Sequence, residues 1–216
     1  MSIHKTYAVL GLGRYGKAVA EELVKSGAEV LAVDIDQNNV NNAIETIPVC
    51  KCADITEPET IKRLGISNID VVIVAMANNL EASVMAVMLC KEAGVSTVIA
   101  KCSNEMHQKI LRRIGADKVI IPEKESGTRL AKNLLTSGFS GMIELSDEVS
   151  MVELDVKDEC VGKTLIELSM RKKYSINVVA IKNNGKISTT VDPTLPLEKG
   201  MQLIVIANTI KLQKLK

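Results

Sequence analysis

A chain of 216 residues has room for one domain of ordinary size and a smaller companion. A net charge of +1 with 25% charged residues gives no basis for non-specific nucleic-acid binding, and one Phe, three Tyr and no Trp leave no stacking platform for single strands. No apolar run approaches the ~20 residues that cross a bilayer and no signal-peptide pattern opens the sequence, so a soluble, cytoplasmic protein is expected.

The first apolar run, residues 7–10, leads straight into Gly11-Leu12-Gly13-Arg14-Tyr15-Gly16. A strand, a G-x-G-x-x-G turn and a helix make up the opening of a dinucleotide-binding βαβ unit. Gly11 permits the tight turn, Gly13 lets backbone approach a pyrophosphate, and Gly16 lets the helix lie close to the strand. Phosphates then meet unpaired N–H groups at the positive end of the helix. The next run, 30–33, ends in Asp34 at the spacing of a ribose-binding carboxylate, which accepts from ribose hydroxyls and repels a 2′-phosphate.

Further apolar runs follow near 48–50 and at 71–75, 98–100 and 119–121. Runs without polar alternation suit parallel strands covered on both faces. Helical segments lie between them, and Gly27, Gly65, Gly94 and Gly115 stand where left-handed helix ends belong. Thr56-Glu57-Pro58-Glu59 reads as a capping box. The fold expected is α/β, a Rossmann-like doubly wound parallel sheet over residues 1–135.

A helix over 123–135 and the small-residue stretch Thr136-Ser137-Gly138-Phe139-Ser140-Gly141 mark the boundary. Beyond it, 149–155 alternates as a strand, 164–173 reads as a helix, and 178–182 as a strand. Asn183-Asn184-Gly185-Lys186 reads as a hairpin turn into 187–190, Pro193 and Pro196 as a loop, and 203–207 as a last strand. Residues 136–216 thus form a second, smaller α+β domain with a thin core, for which dimerisation is expected.

Cys50, Cys52, Cys90, Cys102 and Cys160 lack metal-ligand or disulfide spacing and are expected as reduced thiols in or beside strands. His4 and His107 are expected at the surface.

Ligands of open α/β sheets sit outside the carboxyl ends of the strands. The residues there are the glycines and Arg14, then Asp34-Ile35-Asp36, then Ala53 and Asp54 beside an adenine. Ala75-Met76-Ala77-Asn78 come next, small enough for a nucleotide to lie across, followed by Lys101 and by Pro122-Glu123. Arg14 and Lys101 together exceed what a pyrophosphate requires and suit ATP or ADP.

Gly11-Leu12-Gly13-Arg14-Tyr15-Gly16, Asp34/Asp36, Ile114-Gly115-Ala116-Asp117 and Pro122-Glu123 together resemble one family, and the likeness covers nearly the whole chain. It is the cytosolic regulatory subunits of Ktr- and Trk-type potassium uptake systems, built on a regulator-of-K⁺-conductance (RCK) domain, with the Ktr branch nearest. Val161-Gly162-Lys163-Thr164-Leu165 and Asn177-Val178-Val179-Ala180-Ile181 resemble that family's C-terminal domain. The resemblance implies a non-enzymatic gating subunit: dimers in an octameric ring on the inner face of a membrane potassium-translocating subunit, answering to ATP and ADP, or to NAD(H) in the Trk branch. It also implies that Glu123 helps hold Mg²⁺ or another cation near the γ-phosphate at a subunit contact. Cyclic di-AMP would meet Arg171, Asn177 and Pro193 in the C-terminal domain, with Leu165 and Ile176 as apolar lining. Cys52-Ala53-Asp54-Ile55 departs from the family's Gly-Asp-Ala-Thr.

The alternatives are a small NAD(H)-dependent oxidoreductase, an NAD(H)-responsive Trk-type regulator, and a channel or efflux regulator fused to its pore. The first needs a general acid/base at the nicotinamide, and the C-terminal module has no histidine. With only six residues before the first strand, a separate subunit is expected over the fused form.

Overall fold

The computed structural model describes residues 5–135, 139–146 and 148–208. The chain divides into two compact units, Met1–Glu125 and Ser126–Lys216.

In the first unit, six parallel strands alternate with helices. The strands are β1 (Thr6–Leu10), β2 (Glu29–Asp34), β3 (Val49–Cys52), β4 (Val71–Val74), β5 (Thr97–Lys101) and β6 (Lys118–Ile120). Their order is β3-β2-β1-β4-β5-β6, the doubly wound arrangement the apolar runs predict. The helices are α1 (Arg14–Lys25), α2 (Gln37–Ala43), α3 (Pro58–Arg63), α4 (Leu80–Glu92) and α5 (Glu105–Ile114), and α6 (Pro122–Leu135) begins in this unit and ends in the second.

Both sheet faces are covered, and this is why the strands read as unbroken apolar runs. Ala8, Leu10, Val72, Val74, Val98 and Ala100 pack with Ala86, Val87 and Cys90 of α4. Val9, Ala32 and Ile73 pack with Ala20 of α1 and with Val40 and Ala43 of α2. β4 is buried at all four positions. Each fully buried Val or Leu contributes about 1.5–3 kcal/mol. β1 sits where the winding reverses: Gly11 N–H donates to the Val33 carbonyl (2.7 Å) and Ala75 N–H to the Leu10 carbonyl (2.7 Å). The four glycines expected at helix ends all take positive φ.

Two local expectations are corrected here. Thr56 does not cap α3; Glu57 occupies the N-cap position without a side-chain bond. The Thr56 hydroxyl and amide instead donate to Asp54 Oδ1 (2.7 and 2.9 Å), because an aspartate two residues upstream offers a local turn that competes with capping. Cys90 lies inside α4 rather than by a strand, and burial pushes its thiol up to about 12. All five cysteines are free.

The second unit is an antiparallel sheet of β7 (Phe139–Glu144), β8 (Val149–Asp155), β9 (Asn177–Asn183), β10 (Lys186–Ser188) and β11 (Gln202–Asn208), in the order β10-β9-β11-β8-β7. Its core is Val152, Ile176, Leu197, Leu203, Val205 and Ala207. Asn184 and Gly185 have φ of 48° and 78°, giving the expected hairpin its primed turn. Residues 139–141, expected as linker, belong to β7; residues 136–138 and His4 lie outside the described residues. The helix expected over 164–173 is broken at Ser169 (φ 48°) into α7 (Leu165–Leu168) and α8 (Met170–Tyr174). A reciprocal capping box does occur, between Thr164 and Glu167, where the sequence reading saw none.

Candidate functional site

A cleft of about 710 Å³ opens at the carboxyl ends of the parallel strands, a size suited to a nucleotide. Its floor is the glycine turn. Gly11 holds φ 99°, and a Cβ there would lie 2.8 Å from Met76 Cγ. A Cβ on Gly16 would run into the Gly11 carbonyl oxygen, so helix and turn touch backbone to backbone. Around Gly13 the space is open.

The start of α1 is built to receive an anion. Its N-cap is Gly13, with no side-chain cap and no acid in the first turn. By contrast, Asp36, Asn79 and Asn104 cap α2, α4 and α5 with their side chains. The first N–H groups of α1 therefore lack the partner that α2, α4 and α5 supply internally, at the positive end of the helix dipole. Arg14, exposed beside them, has no ion-pair partner among the described residues, and its charge helps keep Glu123 ionised.

Asp34 lines the cleft at the end of β2. One oxygen accepts from Leu12 N–H (2.5 Å) and the other from Asp36 N–H (2.8 Å). A carboxylate has about four acceptor positions, so these bonds brace the glycine turn and leave acceptor capacity facing the cleft. Asp54 and Thr56 form the next wall. The Thr56 hydroxyl, then its amide, hold the Asp54 carboxyl below the usual range.

At the far end, Lys101 Nζ lies 2.8 Å from Glu123 Oε1 and 5.5 Å from the centre of the Tyr15 ring. The Lys101 hydrogen bond is the main cause of the lowered Glu123 pKa. Burial, then the charges of Glu125 and Glu123, push the Tyr15 phenol up. Lys101 is thus already paired, while Arg14, the other cation among the described residues lining the cleft, is not.

The structure brings Gly11, Gly13, Arg14, Tyr15, Asp34, Ile35, Asp54, Ala75, Met76, Ala77, Asn78 and Lys101 to the cleft wall. Five other candidates stand behind it. Leu12 is buried and lends its amide to Asp34, and Gly16 packs on the turn. Asp36 caps α2, Ala53 N–H donates to the Asp34 carbonyl, and Glu123 pairs with Lys101. Sequence reasoning missed Thr56, Glu57, Glu81, Ala82 and Met85, which form the wall between the β3 loop and α4. Only the fold brings α4 against that loop, so no spacing rule could have found them.

Glu123 is taken up by Lys101, and among the described residues no three His, Cys, Asp or Glu could hold a metal ion.

The five residues expected around cyclic di-AMP are dispersed in role. Ile176 is 1% exposed and packs with Val152 and Leu203 in the core of the second unit. Leu165 packs against the same core from its edge. Arg171 and Asn177 are exposed, and the exposed Pro193 accepts at its carbonyl from Ile166 N–H (3.3 Å). None of the five lines the cleft found in that unit beside the β9–β10 hairpin.

Residues 7–122 match the TrkA-N domain and residues 149–216 the TrkA-C domain. The chain is 36% identical over 210 residues to the Ktr system potassium uptake protein C of Bacillus subtilis (strain 168), covering 97% of this chain and 95% of that one. It is 39% identical over 190 residues to the Ktr system potassium uptake protein A of the same organism, covering 88% and 86%. Among solved structures, the GsuK channel bound to NAD is similar in fold (TM-score 0.56, 21% identity), with 97% of this chain matched to 37% of that one. This chain therefore spans well under half of that channel. The chain belongs to the family of Ktr-type potassium uptake regulatory proteins, which join a TrkA-N domain to a TrkA-C domain.

Proposed function

We propose that this chain is a nucleotide-sensing, non-enzymatic subunit that sets the activity of a membrane potassium-translocating partner according to ATP and ADP. The observation that carries the reading is the uncapped, acid-free start of α1 with Arg14 beside it, inside a cleft of nucleotide size. Gly13 and the first amides of α1 hold the inner phosphates, Asp34 takes the ribose hydroxyls, and the β3–α4 wall encloses the base. Arg14 reads the outer charge. Lys101 joins it by exchanging Glu123 for a terminal phosphate, which ties β5 to α1 in one nucleotide state only.

Such an exchange shifts a conformational balance only by its difference in affinity for the two shapes. The relatives' names carry potassium uptake to this chain as part of the proposal. With it come assembly as dimers in an octameric ring, a place on the inner face of the membrane through the partner, and a separate response of the C-terminal unit to cyclic di-AMP.

The oxidoreductase reading has less support, since no histidine is among the described residues lining the cleft and the sequence beyond residue 135 holds none. Calorimetric titration with ATP, ADP, NADH and cyclic di-AMP tests the reading. Saturable binding of ATP and ADP to one site, with cyclic di-AMP at another, is expected. Binding of NADH alone overturns the ATP/ADP assignment.

A further inference from the structure

We propose that Cys50 and Cys52 form a two-thiolate site for a soft monovalent cation, copper(I), on the edge strand of the parallel sheet. β3 ends the strand order of the first unit, and residues two apart on a strand point to one face. The register sets Cys50 opposite Ala32 and Cys52 opposite Asp34 on β2. Cys50 packs with the cluster of Ala32, Val40 and Ala43, so the shared face is the one that α2 covers. The hydrogen bonds agree. The Cys50 thiol donates to the Ile47 carbonyl (3.3 Å) beyond the end of α2, and the Cys52 thiol to the Ile35 carbonyl (3.4 Å) before its start. Cys52 is exposed and Cys50 half-buried, which leaves a way in from solvent.

Distance decides what the pair can do. At about 3.3 Å per residue, the Cα atoms and the Cβ atoms they carry in parallel stand about 6.6 Å apart. A disulfide needs Cβ atoms about 3.5–4.5 Å apart, so these thiols do not close one on a regular strand. Two metal–sulfur bonds of about 2.3 Å span about 4.6 Å, a gap that two Sγ atoms leaning together from such positions match. Among the described residues no third His, Cys, Asp or Glu completes a larger set. Zinc takes four ligands and magnesium six, whereas copper(I), a soft filled-shell ion, is satisfied by two thiolates in line. The one-residue gap, too short for a tetrahedral zinc pair, suits that arrangement.

The metal enters and stays as copper(I), so no electron is transferred. Both thiol protons pass to solvent, and each sulfur exchanges its carbonyl for the metal. Burial raises the Cys50 thiol's pKa, so binding strengthens as pH rises.

Anaerobic titration of the full chain with copper(I), against a chromophoric copper(I) chelator, tests the site. One equivalent per chain is expected, with a thiolate-to-copper charge-transfer band in the ultraviolet and no competition from Zn²⁺. Losing a group that merely orients a metal ligand costs about 10–100-fold in affinity, so Cys50→Ser and Cys52→Ser, each removing a ligand, should each weaken binding about a hundredfold or more. Cys160→Ser, in the second unit, should leave it unchanged. Should Cys50→Ser lower the melting temperature, the exposed Cys52→Ser carries the test alone. Wild-type affinity in Cys52→Ser, failure of the wild type to compete with the chelator, or half an equivalent bridging two chains overturns the proposal.

Discussion

The two units solve opposite problems with sheets. In the first, β4 is buried at every position, and side chains from both faces enter separate cores. In the second, β11 alternates buried and half-buried residues along its length, so one face supplies the core. A sheet covered twice can lift its strand ends clear of the core and surround them with loops, and the cleft is found there. A sheet covered once carries less buried apolar surface and depends more on each residue it has.

That contrast is sharpest where backbone meets backbone. Gly16→Ala is expected to cost on the order of 4 kcal/mol, because its methyl has only the Gly11 carbonyl to displace. Thermal melting should show the first unit failing while the second keeps its transition. In the second unit, Ile176→Ala is expected to cost about 3 kcal/mol through the cavity it leaves. A variant that melts like the wild type but binds cyclic di-AMP less well would show Ile176 acting on the ligand rather than on the core.

Arg14→Ala separates ligand recognition from folding. It should weaken ATP about tenfold more than ADP, or about 1.4 kcal/mol, with no change in melting. Equal loss for both would mean that Arg14 reads only the shared phosphates. Thr164→Ala removes one arm of the capping box and is expected to cost about 1 kcal/mol, confined to the second unit.

The smallest effect is electrostatic. The Val98 amide, which donates to Asp117 Oδ2 at 2.6 Å, and then the Lys91 ammonium hold the Asp117 carboxyl below its usual range. A carboxylate whose pKa is depressed by folding adds stability above its unfolded pKa of ~3.9 and loses it as pH falls through the lower, folded value. The first unit's melting temperature should therefore drop as pH falls below about 4, and Asp117→Asn should lower it at neutral pH and flatten the acid limb.

The parts of the fold governed by local rules were legible. Apolar runs gave the parallel strands, glycines marked the helix ends, and Asn184-Gly185 marked the hairpin, because each answers to its own few residues. The misses share a cause. Residues 139–141 look like linker by composition, yet β8 recruits them into β7, a pairing composition does not encode. Thr56 obeyed Asp54 rather than α3, since two local hydrogen-bonding options competed and the sequence does not rank them. Ser169 interrupts a helical period without a Gly or Pro to announce it. At the site, Arg14 and Asp34 stood out by spacing. The taking-up of Lys101 by Glu123, 22 residues on, exists only once β5 and β6 are side by side.

The contact between Gly16 and Gly11 has a consequence for how such a cleft can change. Where the floor of a site is backbone against backbone, substitution can ruin it but cannot retune it. Any adjustment of ligand preference is therefore confined to the rim, to side chains such as Ile35, Glu57, Glu81 and Lys101 that border the cleft. A chain of this design keeps a common phosphate seat and writes its choice of nucleotide at the edges, so exchanging rim residues between relatives should exchange their ligands without refolding either one.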